Sequence, residues 1–152
     1  MGLLNIFKKP NKIQDEFFGK LTFMEIKNKP TNSYFEGKVF FSPINEHIEC
    51  LIEANLTGPT DEQKAFFKKV EASFDQLTLK SKPLIENEFK NWKEYFEIMN
   101  FKDEFKVVGI TIPRMETYPL IWDMSFETIH DTNHYITINF EDFNAAGILI
   151  DG

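Results

Sequence analysis

The sequence has very few of the residues on which many common sites depend. Cys50 is its only cysteine, which excludes a disulfide within the chain and a zinc site built from several cysteines. Arg114 is its only arginine, and the formal net charge is −7. Nucleic-acid binding requires clustered Lys and Arg, so a nucleic-acid partner is not expected. A lone cysteine favours a reducing compartment, and we expect a cytoplasmic protein.

Long apolar runs and catalytic motifs are also missing. No run approaches the ~20 apolar residues that a membrane-spanning helix needs, so no transmembrane segment is expected. The sequence contains no Gly-rich phosphate loop, His-Glu-x-x-His helix or Gly-x-Ser-x-Gly turn. We therefore expect no cofactor and no catalytic residues. An enzyme whose active site is dispersed along the chain is the alternative that one sequence leaves open.

The length of 152 residues suits one domain, which we place at residues 15–152. Residues 1–14 are expected to form a lead-in to that domain. This segment includes Leu3, Leu4 and Phe7, followed by lysines. Weak attachment to a membrane surface through this segment is a second alternative function.

Phenylalanine is abundant, with 17 copies, and the hydrophobic fraction of 42% is typical of a packed core. Apolar periodicity predicts six strands and, between the third and the fourth, two helices. Thr60 and Gln63 form the pattern of a capping box at the first helix start. The strands are expected at 16–27, 34–41, 48–56, 105–112, 119–129 and 135–143. The apolar stripes are Phe66, Val70, Phe74 and Leu77 on the first helix, and Ile85, Phe89, Trp92, Phe96 and Met99 on the second, which Ser81 would cap.

Strands and helices therefore come in blocks, in the order βββααβββ, and do not alternate. Blocks of this kind predict an α+β fold. We expect a largely antiparallel β-sheet of about five or six strands, with the two α-helices packed on one face.

The stretch "IHDTNHY" contains two of the three histidines and reads as a hairpin turn between the last two predicted strands. A three-residue loop, Asp131–Asn133, would place Asp123 opposite Glu141 and His130 opposite His134. Apolar residues then fall opposite apolar ones on one face. A metal ion held by His130, Asp131 and His134 is a weaker alternative, because two histidines across an exposed turn chelate loosely.

This pairing gathers acidic side chains on the other face of the sheet. Asp123 and Glu141 would be directly opposed, with Glu127 further along the same strand. Like charges opposed in a sheet are destabilising. One interpretation is a solvated sheet face whose charges are screened. The other is a surface formed by Asp123, Glu127 and Glu141 that binds a basic protein partner.

Four segments resemble families of bacterial domains of unknown function: "FFGKLTF", "YFEGKVFF", "TDEQKAFF" and the closing "LIWDMSFETIHDTNHYITINF". These families share a glycine-containing first strand, an aromatic-x-Gly-x-Val strand and a Gln-containing helix start. The likeness covers residues 15–143. Some relatives are assigned as immunity proteins of toxin systems. The resemblance therefore implies a small cytoplasmic inhibitor of a toxin-like partner, and it implies no catalytic residues.

Overall fold

A computed structural model describes residues 11–151 as one eight-stranded sheet with helices on one of its faces. The strands lie side by side in chain order. Every neighbouring pair is antiparallel except the central pair, β4 and β5, which is parallel. The strands are β1 (Lys12–Asp15), β2 (Gly19–Met24), β3 (Tyr34–Phe41), β4 (Glu46–Ile52), β5 (Phe105–Ile112), β6 (Ile121–Thr128), β7 (Asp131–Glu141) and β8 (Asn144–Asp151). The helices are α1 (Asp61–Ala72), α2 (Phe74–Phe89) and α3 (Phe101–Glu104).

The α+β character predicted from the sequence fits, but the predicted strand number and element order are wrong. The observed order is four strands, three helices and four strands. One missed strand is β1, which lies almost wholly in the segment expected as a lead-in, and the strand predicted at 16–27 is reduced to β2. The Asp15 carboxylate accepts hydrogen bonds from the N–H groups of Phe17 and Phe18, which fixes a turn between β1 and β2. The other missed strand is β8, which follows a tight turn in which Asp142 adopts a φ of 52°.

The segment expected as a lead-in is partly structured. Residues 12–14 belong to β1, which pairs with β2 from Lys12–Thr22 to Asp15–Gly19. The proposed membrane contact of the N-terminal segment falls on residues 1–10, which lie outside the described part of the chain.

The first helix begins as its sequence predicts. Thr60 Oγ1 accepts a hydrogen bond from the Gln63 N–H at 3.2 Å, and Gln63 Oε1 accepts one from the Thr60 N–H at 3.0 Å. This reciprocal pair confirms the capping box. The predicted apolar stripe is buried, but two helices share it, because α1 ends at Ala72 and α2 begins at Phe74.

The second helix was predicted at the wrong place. Ser81 does not cap a helix; it is buried inside α2 and its hydroxyl donates to the Leu77 carbonyl at 2.7 Å. The helix ends at Phe89, so the predicted stripe does not continue as one face. Trp92 is 51% exposed and Met99 is 82% exposed. Phe96 is buried because the chain folds back and stacks its ring on Phe89, with 4.5 Å between centroids.

The core lies between the helices and one face of the sheet. Residues facing this side alternate along each strand with residues facing the other side. The sheet contributes large, fully buried side chains such as Phe41, Trp122, Phe126 and Phe140. The opposite face of the sheet has no helix over it within residues 11–151, and we call it the open face.

Candidate functional site

The open face combines apolar and polar side chains. Its apolar members include Phe40, Ile121, Tyr135 and Leu149, each between 46% and 56% exposed. An apolar side chain that stays in contact with water adds no stability through the hydrophobic effect. These four side chains lie apart on different strands, so the case for a contact surface depends on the charges and the groove of this face.

The charge on this face is unevenly distributed. The half formed by β5 to β8 carries four carboxylates and the ammonium group of Lys106. The register places all of them on the same side of the sheet. The carboxylates belong to Asp123, Glu127, Glu141 and Asp151. This half of the open face is therefore strongly acidic.

A groove of about 520 Å³ crosses the open face from β3 to β8. Gly109 lies between Glu49 and Ser125 in the register, and its missing side chain lowers the floor at the centre of the sheet. The groove is lined by Lys38, Glu46, His47, Glu49, Lys106, Val107, Val108, Gly109, Ser125, Glu127, Tyr135, Thr137 and Asp151. A volume of this size falls within the range of ligand-binding clefts.

The two lysines of the groove already have acidic partners. Lys38 Nζ lies 3.5 Å from Glu49 Oε1, and Lys106 Nζ lies 2.6 Å from Glu46 Oε2. The hydrogen bond and charge of Glu46 raise the pKa of Lys106, and the charge of Glu127 adds to that effect. The charges of both lysines are therefore balanced locally by the neighbouring carboxylates.

Two other carboxylates of the groove, those of Glu127 and Asp151, have no basic side chain within ion-pair distance among the described residues. Tyr135 pairs with Asp151 across β7 and β8, and Glu127 lies at the irregularity beside the Phe126–Ile136 pair. Glu127 and Asp151 are both exposed, and neither forms an ion pair with a described side chain. Tyr135, which is 48% exposed, thus lies between two carboxylates without a close ion-pair partner, although Glu127 faces Lys106 across β5 and β6.

A second cavity, of about 540 Å³, continues the groove over one end of the sheet. It shares Glu46, Lys106 and Glu127 with the groove. Its remaining wall is more apolar and includes Ile44, Phe74 and Ile129. The acidic part of the groove therefore opens directly onto an apolar surface.

The three predicted partner-binding residues all lie on the open face, but Asp123 and Glu141 are not opposite each other on neighbouring strands. Glu141 pairs with Ile121, and Asp123 pairs with Asn139. The predicted hairpin register is off by two residues, which leaves each side chain on its predicted face. Of the three acids, only Glu127 lines the groove. The prediction that Asp123 and Glu141 repel each other directly is therefore wrong.

The sequence reasoning missed Tyr135 and Asp151 as residues of the site. Asp151 was missed because β8 was missed, and the importance of Tyr135 depends on its pairing with Asp151. The short apolar run in "AAGILID", directly after the turn-forming "EDFN", is the signal that predicts this last strand.

Asp123 lies half-buried between Thr111 and Asn139. Burial raises the pKa of its carboxyl above the ordinary value of 3.8, and a hydrogen bond from the Thr111 hydroxyl at 3.0 Å only partly opposes this. The folded protein therefore holds this proton more tightly than the unfolded chain does. The contribution of Asp123 to the free energy of unfolding is therefore greatest in acid. It falls as pH rises from 3.8 through the raised pKa of the folded protein.

We therefore expect Asp123→Asn to be more stable than the natural protein at neutral pH, with the difference disappearing in acid. Asparagine keeps an oxygen that accepts the Thr111 hydroxyl but carries no charge to desolvate. Urea unfolding of both proteins over a series of pH values measures the difference. A less stable variant at neutral pH would mean that the ionised carboxylate stabilises the fold.

The two histidines of the metal hypothesis contact different carboxylates. His130 Nε2 lies 2.7 Å from Glu104 Oε1, with its ring against Phe96. His134 Nδ1 lies 2.7 Å from Asp131 Oδ2. The predicted His130–His134 opposition is wrong, because the turn is made at Ile129 and His130 and Asp131 already pairs with Thr128. Across residues 11–151, no cluster of three or more His, Cys, Asp or Glu side chains could hold a metal ion.

The carboxylates beside the two histidines have shifted acidities. Burial raises the pKa of Glu104, but hydrogen bonds from the Asn100 N–H and from His130 outweigh this and lower it. Burial also raises the pKa of Asp131, but hydrogen bonds from the Asn133 N–H and from His134 outweigh this effect and lower it. Both groups are ionised at neutral pH and fix the shape of the hairpin turn.

Cys50 is not available as a nucleophile. Its side chain points into the core from β4 and is 1% exposed. Burial strongly raises the pKa of its thiol, with a smaller contribution from the charge of Glu49. A nucleophilic cysteine must be accessible and form a thiolate, and Cys50 meets neither condition.

No helix within residues 11–151 is long and apolar enough to cross a membrane. Comparison with known proteins gives no assignment: no family model, no curated protein and no solved structure matches this chain.

Proposed function

We propose that this protein is a non-catalytic binding module of immunity type that holds a basic segment of a partner protein in the groove of the open face. One observation carries the proposal. Glu127 and Asp151 flank the half-exposed Tyr135 in this groove, and neither acid has an ion-pair partner among the described residues.

The charges of the groove favour a cationic ligand. Lys38 and Lys106 are engaged by Glu49 and Glu46, so they oppose an incoming cation only weakly. A lysine or arginine side chain entering near Tyr135 would meet the carboxylates of Glu127 and Asp151. Such complementarity accelerates association and selects against acidic partners. The net charge of −7 acts in the same direction at longer range.

The aromatic ring and the neighbouring apolar surface favour a protein segment over a small cation. The Tyr135 face can contact an arginine or lysine, a geometry that contributes about 0.5–1 kcal/mol at exposed sites. The apolar cavity beyond Glu127 could then bury a hydrophobic side chain of the same segment. Buried apolar anchors next to charged contacts are typical of protein interfaces.

The resemblance to immunity-type families adds a kind of partner. It suggests that the basic segment belongs to a toxin and that the module blocks it by occupancy, without chemistry. The single buried cysteine is compatible with the reducing cytoplasm where such inhibitors act.

The test selects peptides from a random phage-displayed library against the natural protein at low salt. We expect enrichment of Lys- and Arg-containing sequences. The double variant Glu127→Lys, Asp151→Lys should weaken binding of the selected peptides by at least about tenfold. The matched control is Glu94→Lys, Glu116→Lys, which makes the same change in net charge at exposed sites outside the groove.

Added salt should weaken binding of the selected peptides to the natural protein, because the contacts are ionic and exposed. The control variant should bind within about twofold of the natural protein if groove contacts dominate over net charge. Failure to enrich basic peptides, or equal losses in the two variants, would overturn the proposal.

A further inference from the structure

The sheet has two edges, and they differ in how well they are protected. β1 is four residues long and contains Lys12 and Asp15. Short, charged edge strands resist pairing with other chains. β8 is eight residues long, and its stretch 145–150 contains no charged residue and no proline. Its outer edge has no neighbouring strand within residues 11–151, which leaves a row of backbone N–H and C=O groups unpaired.

The side chains of β8 are also incompletely covered. Ile148 and Ile150 face the helix layer but are only half-buried, and no residue of β8 is fully buried. Leu149 points to the open face and is 54% exposed. β8 thus combines unpaired backbone groups with apolar side chains that the described chain does not cover.

We infer that β8 pairs with β8 of a second copy of this chain, joining two sheets into one across a two-fold axis. An antiparallel register centred on Leu149 places Leu149 opposite its symmetry mate and Ile148 opposite Ile150 of the other copy. Residues paired in this way point to the same face, so the two helix layers lie on one side and the two open faces on the other. An interface of this kind is self-complementary, as two-fold symmetry requires.

The distribution of charge makes the β8 edge the place where a second copy can approach most easily. Two chains of net charge −7 repel each other, and close approach is least unfavourable where the surface is uncharged. The stretch 145–150 is such a place, whereas the acidic groove would attract a basic partner. In the register centred on Leu149, Asp151 faces Gly147 of the other copy, so no two carboxylates are directly opposed.

The packing of the helix layer supports the same contact. α2 packs against β8, and Lys80 Nζ donates to the Phe143 carbonyl at 2.7 Å beside the start of the strand. This contact holds β8 in place from the covered side and leaves its outer edge free. An interface built on one strand pair is small, so we expect a weak, concentration-dependent dimer.

Sedimentation of the full chain from micromolar to submillimolar concentration tests the inference. We expect a monomer–dimer equilibrium whose dissociation constant falls as salt is added, because salt screens the repulsion between two acidic chains. Leu149→Lys would place two ammonium groups opposite each other and should raise the dissociation constant by at least about tenfold. Leu56→Lys is the matched control: Leu56 is 55% exposed and lies far along the chain from β8, and its replacement should leave the equilibrium unchanged.

Hydrogen exchange on the natural protein gives a second readout that does not depend on a variant folding. Alternate amides of residues 147–151 should become more protected as protein concentration rises, while those of β1 should not. A monomer at every concentration, or a dimer that Leu149→Lys and Leu56→Lys weaken equally, would overturn the inference. The response to salt is opposite to that expected for a basic peptide in the groove, so the two proposals fail independently.

Discussion

Gln63→Leu is expected to lower the free energy of unfolding by about 3 kcal/mol. Gln63 is 1% exposed, and its side chain joins three elements. Its Nε2 donates to the Glu53 carbonyl at 2.8 Å and to the Pro113 carbonyl at 3.0 Å, while its Oε1 accepts from Thr60. Leucine has a similar size but no polar atom, so the loss would report the hydrogen bonds and the two carbonyls left without this donor.

Two further variants separate the parts of this effect. Thr60→Ala removes one side of the cap and should cost only about 1 kcal/mol. Gln63→Glu retains the acceptor for Thr60 but turns a carboxylate oxygen towards two carbonyls. The pKa of this carboxyl should be raised, because only its protonated form can donate. Its destabilisation should therefore grow as pH rises above the unfolded value of about 4.3.

Urea unfolding in acid and at neutral pH measures all three variants. Equal destabilisation of Gln63→Glu at both pH values would contradict the assigned hydrogen bonds. A loss in Gln63→Leu no larger than that in Thr60→Ala would show that Gln63 acts as a helix cap alone and does not link the ends of β4 and β5.

Phe89→Ala is expected to destabilise the protein by about 4 kcal/mol, while Trp92→Ala costs about 1 kcal/mol. Phe89 is fully buried at the end of α2. Its ring contacts Phe96 at 4.5 Å and Phe105 at 6.3 Å between centroids. Alanine leaves a cavity that the surrounding rings cannot fill. Trp92 is half exposed and loses less apolar burial.

Comparing these two variants also tests where the helix ends. In a helix continuing through Met99, Phe89 and Trp92 would share one buried stripe and their replacements would cost similar amounts. Chemical denaturation of both variants gives the comparison, and circular dichroism of each checks that the fold is retained. Similar losses would argue against the fold-back of the chain after Phe89.

The sequence predicted an element correctly where the interactions that form it join residues close together in the chain. The capping box at Thr60 and Gln63 depends on residues three apart, and the strand bounds at 34–41 and 105–112 follow from short runs of apolar and branched residues. The second helix failed because the spacing from Phe89 to Phe96 suits both a helical stripe and a fold-back. Tertiary contacts with Phe105 and His130 accompany the second arrangement.

The candidate site was found only in part for a similar reason. Face assignments survived the register error because a shift of two residues preserves the direction of each side chain. The pairing partners were predicted wrongly, since the register shifts near Glu127 and His130 contacts Glu104, which is distant in sequence. No local pattern at Asp123 or Glu127 reveals that Asp151 belongs to the groove.

The parallel contact at the centre of the sheet has a consequence for folding kinetics. Six of the seven strand pairings join strands that follow each other directly with short connections, whereas β4 and β5 are separated by the three helices. Each four-stranded half can form from nearby contacts, but joining them closes a loop from Ile52 to Phe105. The entropy of closing this loop is lost before the β4–β5 contacts stabilise the fold. Docking of the two halves should therefore limit the folding rate.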